Sequence, residues 1–381
     1  MDQDKVSVLL AVPTDRMEDP ATRETMQSIV SQSYPASLIE TLQVQFVTAT
    51  PGGRTAAINA ARDQAKGEFL VHTEPGVIWD PSKVERQVLR LREGSDAAGV
   101  GSAHRVSVRD AGGKLKQTDF SLVRSVGLRL ATLITAPWKP GALLIRSEVM
   151  DGLGAYRHID HQVWEHNIRL AEKGLTVELL EDDLAVWNVE SDPSANLQRR
   201  LHLGRPRETF LKRYLDQVDA PTLVPERNGG EDPALLLAVA HLFNDDYDGS
   251  HTICQGFERE HAAASYWHGL IHRREPDYRN ARGWYGRATQ WEGCLNIRDR
   301  VQDVLERVML MPEYGGARDL AFGLKQHVDA TGNWDPLYFT DLCERSDANS
   351  ERAASEVLLL EEIQEAEMVG ALDWTYRCVV G

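Results

Sequence analysis

The chain has 381 residues, enough for two domains of ordinary size, each able to bury its own hydrophobic core. Hydrophobic residues make up 42% and charged residues 26%, globular values that exclude wholesale disorder. Lys and Arg number 42 against 58 Asp and Glu, and the resulting net charge of −16 disfavours contact with phosphate backbones or anionic lipid, so nucleic acid is not expected as a partner.

Four cysteines, Cys254, Cys294, Cys343 and Cys378, lie far apart with no Cys-x-x-Cys pair, which fits a reducing compartment and argues against zinc ribbons or redox work. The start, Met-Asp-Gln-Asp-Lys, lacks the basic region and apolar core of a signal peptide. The most apolar run, Ala234 to Phe243, is too short to cross a membrane. A cytoplasmic protein without a transmembrane segment is expected.

Taken in chain order, Val6 to Val12 is a near-continuous apolar run stopped by Pro13, the pattern of a strand buried on both faces of a parallel sheet. Thr22 to Gln32 follows with helical spacing. The unit repeats: Leu42 to Thr48 predicts a strand, Pro51-Gly52-Gly53 a turn, and Arg54 to Lys66 an alanine-rich helix ended by Gly67. Phe69 to Thr73 predicts a third strand, leading through Glu74-Pro75-Gly76 to a helix from Pro81. Alternating elements of this length imply a mostly parallel sheet flanked by helices, with any site at the C-terminal ends of the strands.

Between Asp96 and Trp187 shorter strands are expected around Ala98, Leu143, Val177 and Leu184, with a clear helix over Gln162 to Lys173. Asp216 to Pro233 is rich in Pro, Gly, Asp and Glu and lacks periodicity, so it reads as a linker. Beyond it strand signals disappear. The expected organisation is therefore an α/β domain over 1–215, a linker over 216–233 and an all-α domain over 234–381.

Four stretches resemble the family-2 glycosyltransferases, in the order that family has them. Val6 to Thr14 is similar to its first strand and Pro-Thr turn, and Ser28-Ile-Val-Ser-Gln32-Ser-Tyr34-Pro35 to its first helix end. Ala57 to Phe69 resembles its Ala-Arg-Asn segment with a closing Gly-Glu, and Leu144 to Gly174 its acceptor-side strand, Gly turn and Leu-Arg-Leu-Ala helix. The resemblance implies a GT-A fold over about half of the chain and a nucleotide-sugar donor, an acceptor, and a divalent cation (Mg²⁺ or Mn²⁺) if the transferase site is active.

It also implies site residues, and several are replaced. Pro13, Thr14 and Asn59 fall at donor-side positions. Thr48 stands where an Asp would accept a hydrogen bond from the nucleotide base, and a hydroxyl brings no charge to that bond. Glu74 and Gly76 stand where Asp-x-Asp would hold the cation, so one carboxylate remains and one ligand is gone. Val163 and Gln162 stand at the Glu-Asp pair that supplies the general base, leaving Asp160, His161 or Glu165 as substitutes within a residue or two. Beside each reading stands a plainer one: Glu before Pro-Gly is ordinary turn chemistry, and Asn59 is equally a capping group.

In the second half acidic residues and histidines crowd from Asp245 to Asp277. A helix there places His261, Ser265, His268 and His272 on one face, and His268 with His272 at i, i+4 can grip one metal. A third ligand is expected from Glu258 or Asp248. The alternative is a polar helix packed by Tyr266, Trp267 and Ile271 whose histidines bond to neighbours. Trp267-His268 through Asp277 resembles uncharacterised bacterial helical proteins, which implies no function. Three readings stay open: a working sugar transferase, a degenerate GT-A domain that binds a sugar, nucleotide or protein without turnover, and a metal or acid-base site in the helical half.

Overall fold

The computed structural model describes residues 2–381 apart from 94–95, 109–113, 118–120, 160, 190–200, 207, 226, 258–260 and 290. The chain forms two compact units, Met1–Arg124 with Thr135–Asp192, and Ser125–Ile134 with Pro193–Gly381. The first is α/β and the second helical, the organisation expected. The division differs from the one expected at 216–233. That segment is tied to the chain's end, with Asn228 N donating to Val380 O at 3.1 Å and Glu231 N to Cys378 O at 2.8 Å. Its Pro and Gly content marks an irregular segment of the helical unit.

In the α/β unit, β1 (Asp2–Pro13), β2 (Ile39–Phe46) and β3 (Gly67–Thr73) pair in parallel with β1 in the middle. Short connections through α1 (Pro20–Val30) and α2 (Gly53–Gln64) enforce that arrangement, since parallel neighbours need a crossover. Asp19 caps α1 by accepting from Ala21 N at 2.9 Å, with Pro20 at the first helical position. The sheet continues through β4 (Val77–Trp79), β5 (Gly99–Val108), β6 (Lys114–Gln117), β7 (Leu143–Arg146) and β8 (Val177–Val189).

The strand order is β2-β1-β3-β7-β5-β8-β4, with β6 on β5. β7 runs antiparallel to both β3 and β5, while β5 and β8 are parallel, so the sheet is parallel at one end and mixed beyond β3. The helices α3 (Lys83–Arg92), α5 (Ser147–Leu153) and α6 (Gln162–Glu172) belong to the same unit. The helical stretch α4 (Ser121–Ile134), kinked at Gly127, contains the point where the chain passes into the second unit.

Alternation along buried strands assigns the two sheet faces. Val6, Val8, Phe69 and Val71 enter a core cluster with Val84, Val88 and Leu91 of α3. Leu9, Leu70 and His72 point the other way and line a pocket with residues of α5 and α6.

The helical unit comprises α7 (Thr209–Leu215), α8 (Ala234–Phe243), α9 (Tyr247–Gln255), α10 (Ala262–Arg274) and α11 (Tyr278–Tyr285). It continues with α12 (Gly293–Leu310), α13 (Arg318–Thr331), α14 (Pro336–Ala348) and α15 (Ala354–Val380). Buried on nearly every side, α10 nonetheless carries two arginines in its last turn. Each is paired: Arg274 Nη2 meets Asp245 Oδ1 at 2.6 Å, and Arg273 pairs with Glu367. Buried guanidinium groups are tolerated only when so compensated. Among the described residues, no helix is long and apolar enough to cross a membrane.

Candidate functional site

The C-terminal end of β3 carries the turn that the family resemblance singles out. Val77 N donates to Glu74 O at 3.2 Å, and Gly76 has φ of +95°, so Glu74-Pro75-Gly76-Val77 is a type II turn with Pro and Gly at their preferred places. Gly76 N donates to Thr25 Oγ1 at 3.0 Å, and Gly76 O accepts from Asn188 N at 2.9 Å. A Cβ on residue 76 would stand 2.8 Å from Asn188 O. The backbone itself excludes a side-chain ligand here. The one remaining carboxylate, Glu74, is ion-paired with Arg54 from the first turn of α2.

Thr48 lies exposed in a turn after β2 has ended at Phe46, rather than on the strand, and Thr14 Oγ1 donates to Phe46 O at 3.0 Å. Pro13 closes β1. Asn59 is committed to a structural clamp: its Nδ2 donates to Tyr156 O and its Oδ1 accepts from Tyr156 N, both at 2.9 Å. It thereby fixes the Gly154-Ala155-Tyr156 turn onto α2.

Of the substitutes for a general base, Asp160 lies outside the described residues. Glu165 is 3% exposed, and its Oε1 lies 2.9 Å from Arg169 Nε and 3.0 Å from Arg157 Nη1. Arg169 in turn donates to Leu153 O at 2.6 Å and Ala155 O at 3.0 Å, tying α6 to the same turn. Glu165 thus stands between two guanidinium groups, one of which anchors α6 to the turn after α5.

The pocket beneath this edge is small, with a cavity volume of about 20 Å³, on an apolar floor that includes Leu9, Leu70, Met150 and Val163. Its polar groups are His72 from β3, Lys139, Tyr156, and His166 and Asn167 from α6. Tyr156 joins the two histidines, with ring centroids 5.6 Å from His72 and 4.7 Å from His166. Neither ring nitrogen of His72 has a hydrogen-bond partner, nor has Nε2 of His166. Burial, then Arg54 and His166, pushes His72 down to about 3; burial, then Arg169 and Arg62, does the same for His166. Both are neutral imidazoles at pH near 7, able to donate at one nitrogen and accept at the other.

Sequence reasoning did not select His72 and His166. A histidine inside the otherwise apolar strand Phe69 to Thr73 was the available signal. His166 follows Val163 by one helical turn, which places both on the face of α6 that lines the pocket.

In the helical unit, His261 is the N-cap of α10, its Nδ1 accepting from Ala264 N at 3.3 Å. It does not join the metal-like group expected with His268 and His272. His251 of α9 takes that place: one ligand atom from each of His251, His268 and His272 lies within 4.8 Å of the others. Of the two expected third ligands, Glu258 lies outside the described residues, and Asp248 is not in the group.

No family model matches the chain, and no curated protein matches it. Among solved structures, Staphylococcus aureus TarS is similar at 13% identity and TM-score 0.47, over 74% of this chain and 55% of TarS, so the chain spans about half of that protein. TarS 1–349 in complex with UDP-GlcNAc is similar at 12% identity and TM-score 0.48, over 75% of this chain and 91% of that one. The Pyrobaculum calidifontis mannosyltransferase PcManGT in complex with GDP-Man and Mn²⁺ is similar at 19% identity and TM-score 0.41, over 75% and 86%. At these values the likeness gives no residue a role.

Proposed function

We propose that the α/β unit is a glycosyltransferase-like domain that binds a sugar-bearing ligand and does not transfer the sugar. The Glu74-Pro75-Gly76 turn carries this reading. Metal-assisted transfer needs oxygen ligands on a cation at the leaving diphosphate. Here one ligand position is a glycine whose backbone has no room for a side chain, and the other carboxylate is neutralised by Arg54. Among the described residues, the carboxylate nearest the family's base position, Glu165, is held by Arg157 and Arg169. Binding is supported by the polar groups of the pocket, where neutral imidazoles, Tyr156 and Lys139 can meet a hydroxyl group; its 20 Å³ admits one such group, with the sugar ring at the mouth.

Calorimetric titration with UDP-GlcNAc and GDP-Man, with and without Mn²⁺, tests it. Binding is expected to be indifferent to Mn²⁺, unchanged in Glu74→Gln and lost in His72→Leu. Mn²⁺-dependent binding that Glu74→Gln abolishes would restore the enzyme reading, and no binding to either sugar would remove the binding role.

A further inference from the structure

We infer that His251, His268 and His272 form a zinc site in the helical unit, with Glu275 holding the orientation of one ligand. The three imidazoles come from two helices: His251 from α9, and His268 and His272 from successive turns of α10. Their rings are in mutual contact, with centroids 4.7 Å apart for His251 and His268, 5.3 Å for His251 and His272, and 4.9 Å for His268 and His272. One ligand atom from each falls within 4.8 Å of the other two. Tetrahedral zinc with bonds of about 2.0–2.1 Å holds its nitrogens about 3.4 Å apart. Side-chain rotation covers the difference most cheaply at His251, which is only half-buried and stacks on Tyr247 at 5.0 Å.

Three further observations point to a cation. His268 is 1% exposed, and its Nδ1 has no hydrogen-bond partner, a cost that a metal bond would remove. Its ring is fixed flat against Trp284 at 3.8 Å. His272 Nδ1 lies 3.0 Å from Glu275 Oε2, the carboxylate–imidazole arrangement that fixes the tautomer and raises the basicity of a metal ligand. Its Nε2 then carries the lone pair, now met by Asn280 Nδ2 at 3.0 Å, a single neutral contact for the metal to displace. Glu275 and Asp248 supply negative charge near His251.

The second group of this kind, Asp216, His241 and Asp246, is different. Lys212 Nζ sits 2.9 Å from Asp246 and 3.1 Å from Asp216, so an ammonium already stands where a metal would. Among the described residues no Lys or Arg is hydrogen-bonded to the three histidines; the nearby Arg287 guanidinium lies over the Trp284 ring. Imidazole donors suit zinc among the abundant divalent ions, and three protein ligands leave a fourth position for water.

The test uses the full chain stripped with a chelator and titrated with Zn²⁺, and with Co²⁺ as a coloured reporter. One equivalent of Zn²⁺ should bind, displace Co²⁺ and raise the melting temperature. Glu275→Gln should weaken binding by about ten- to a hundredfold, and His251→Ala by more, with circular dichroism showing both variants folded. His261→Ala should leave affinity unchanged. Absence of stoichiometric Zn²⁺ binding, or binding that survives His251→Ala, would overturn the inference.

Discussion

Residues of chemical promise meet opposite surroundings in the two units. At the edge of the α/β sheet, Glu74 is met by Arg54, and Glu165 by Arg157 and Arg169. In the helical unit the arginines of α10 are drawn off by Asp245 and Glu367, and the histidines of the same helix meet one another. Residue type was therefore a poor guide to function at both places. A carboxylate loses its use as ligand or base once a guanidinium neutralises it, whereas clustered neutral imidazoles keep lone pairs to offer.

The largest effect that can break this contrast is acidification. His72 and His166 are neutral in the fold at about 3 against an ordinary 6.5, so the unfolded chain binds their protons first. Stability is full above about 6.5 and is lost as pH falls toward 3, at about 2 kcal/mol per histidine between pH 7 and pH 5. Hydrogen exchange in β3 and α6 should accelerate accordingly over that range, and His72→Leu should remove about a third of the effect, since His104 of β5 is likewise pushed down to about 3 by burial. A flat profile would mean that these imidazoles are not held neutral, and the pocket chemistry would have to be reconsidered.

Glu165→Gln comes next. Removing the charge leaves Arg169, itself 8% exposed, without its ion-pair partner, and a loss of about 3 kcal/mol is expected. Urea denaturation measures it. A variant of unchanged stability would return Glu165 to the candidates for a base.

Gly76→Asp restores the family's second ligand in sequence but not in structure. The substitution forces a side chain onto φ of +95° and against Asn188 O, so about 2 kcal/mol of stability should be lost with no gain in Mn²⁺ affinity. Acquired Mn²⁺ binding would show that the turn adapts and that the site is one substitution from activity.

The order of strands and helices was legible because β1 and β3 are buried on both faces and read as unbroken apolar runs, and because Pro and Gly mark their ends. The antiparallel placement of β7 between β3 and β5 was not, since direction leaves no trace in a four-residue strand. At the candidate sites Pro13, Thr14, Thr48 and Glu74 lie at or just beyond strand ends, and Asn59 and Glu165 on helices, but their partners were not predictable. Arg54 lies 20 residues from Glu74, and His251 lies on a different helix from His268. Local spacing reaches only within one helix, which is why it chose His261 over His251.

That choice supplies the smallest and most discriminating test. His261 accepts from Ala264 N at 3.3 Å as the N-cap of α10, a long bond to one of the amides that a helix start leaves unpaired. His261→Ala should therefore cost about 0.5 kcal/mol, at the low end for a lost cap, and His261→Asp or His261→Ser should recover it, because a short oxygen acceptor caps as well as or better than imidazole. A ligand would behave otherwise: Ser could not replace it, and the loss would appear only in metal-loaded protein. Thermal melts of the three variants, each with Zn²⁺ and with chelator, separate the two roles. Equal small shifts in both conditions place His261 in the helix cap, whereas a shift confined to the Zn²⁺ samples would bring it back into the metal group in place of His251.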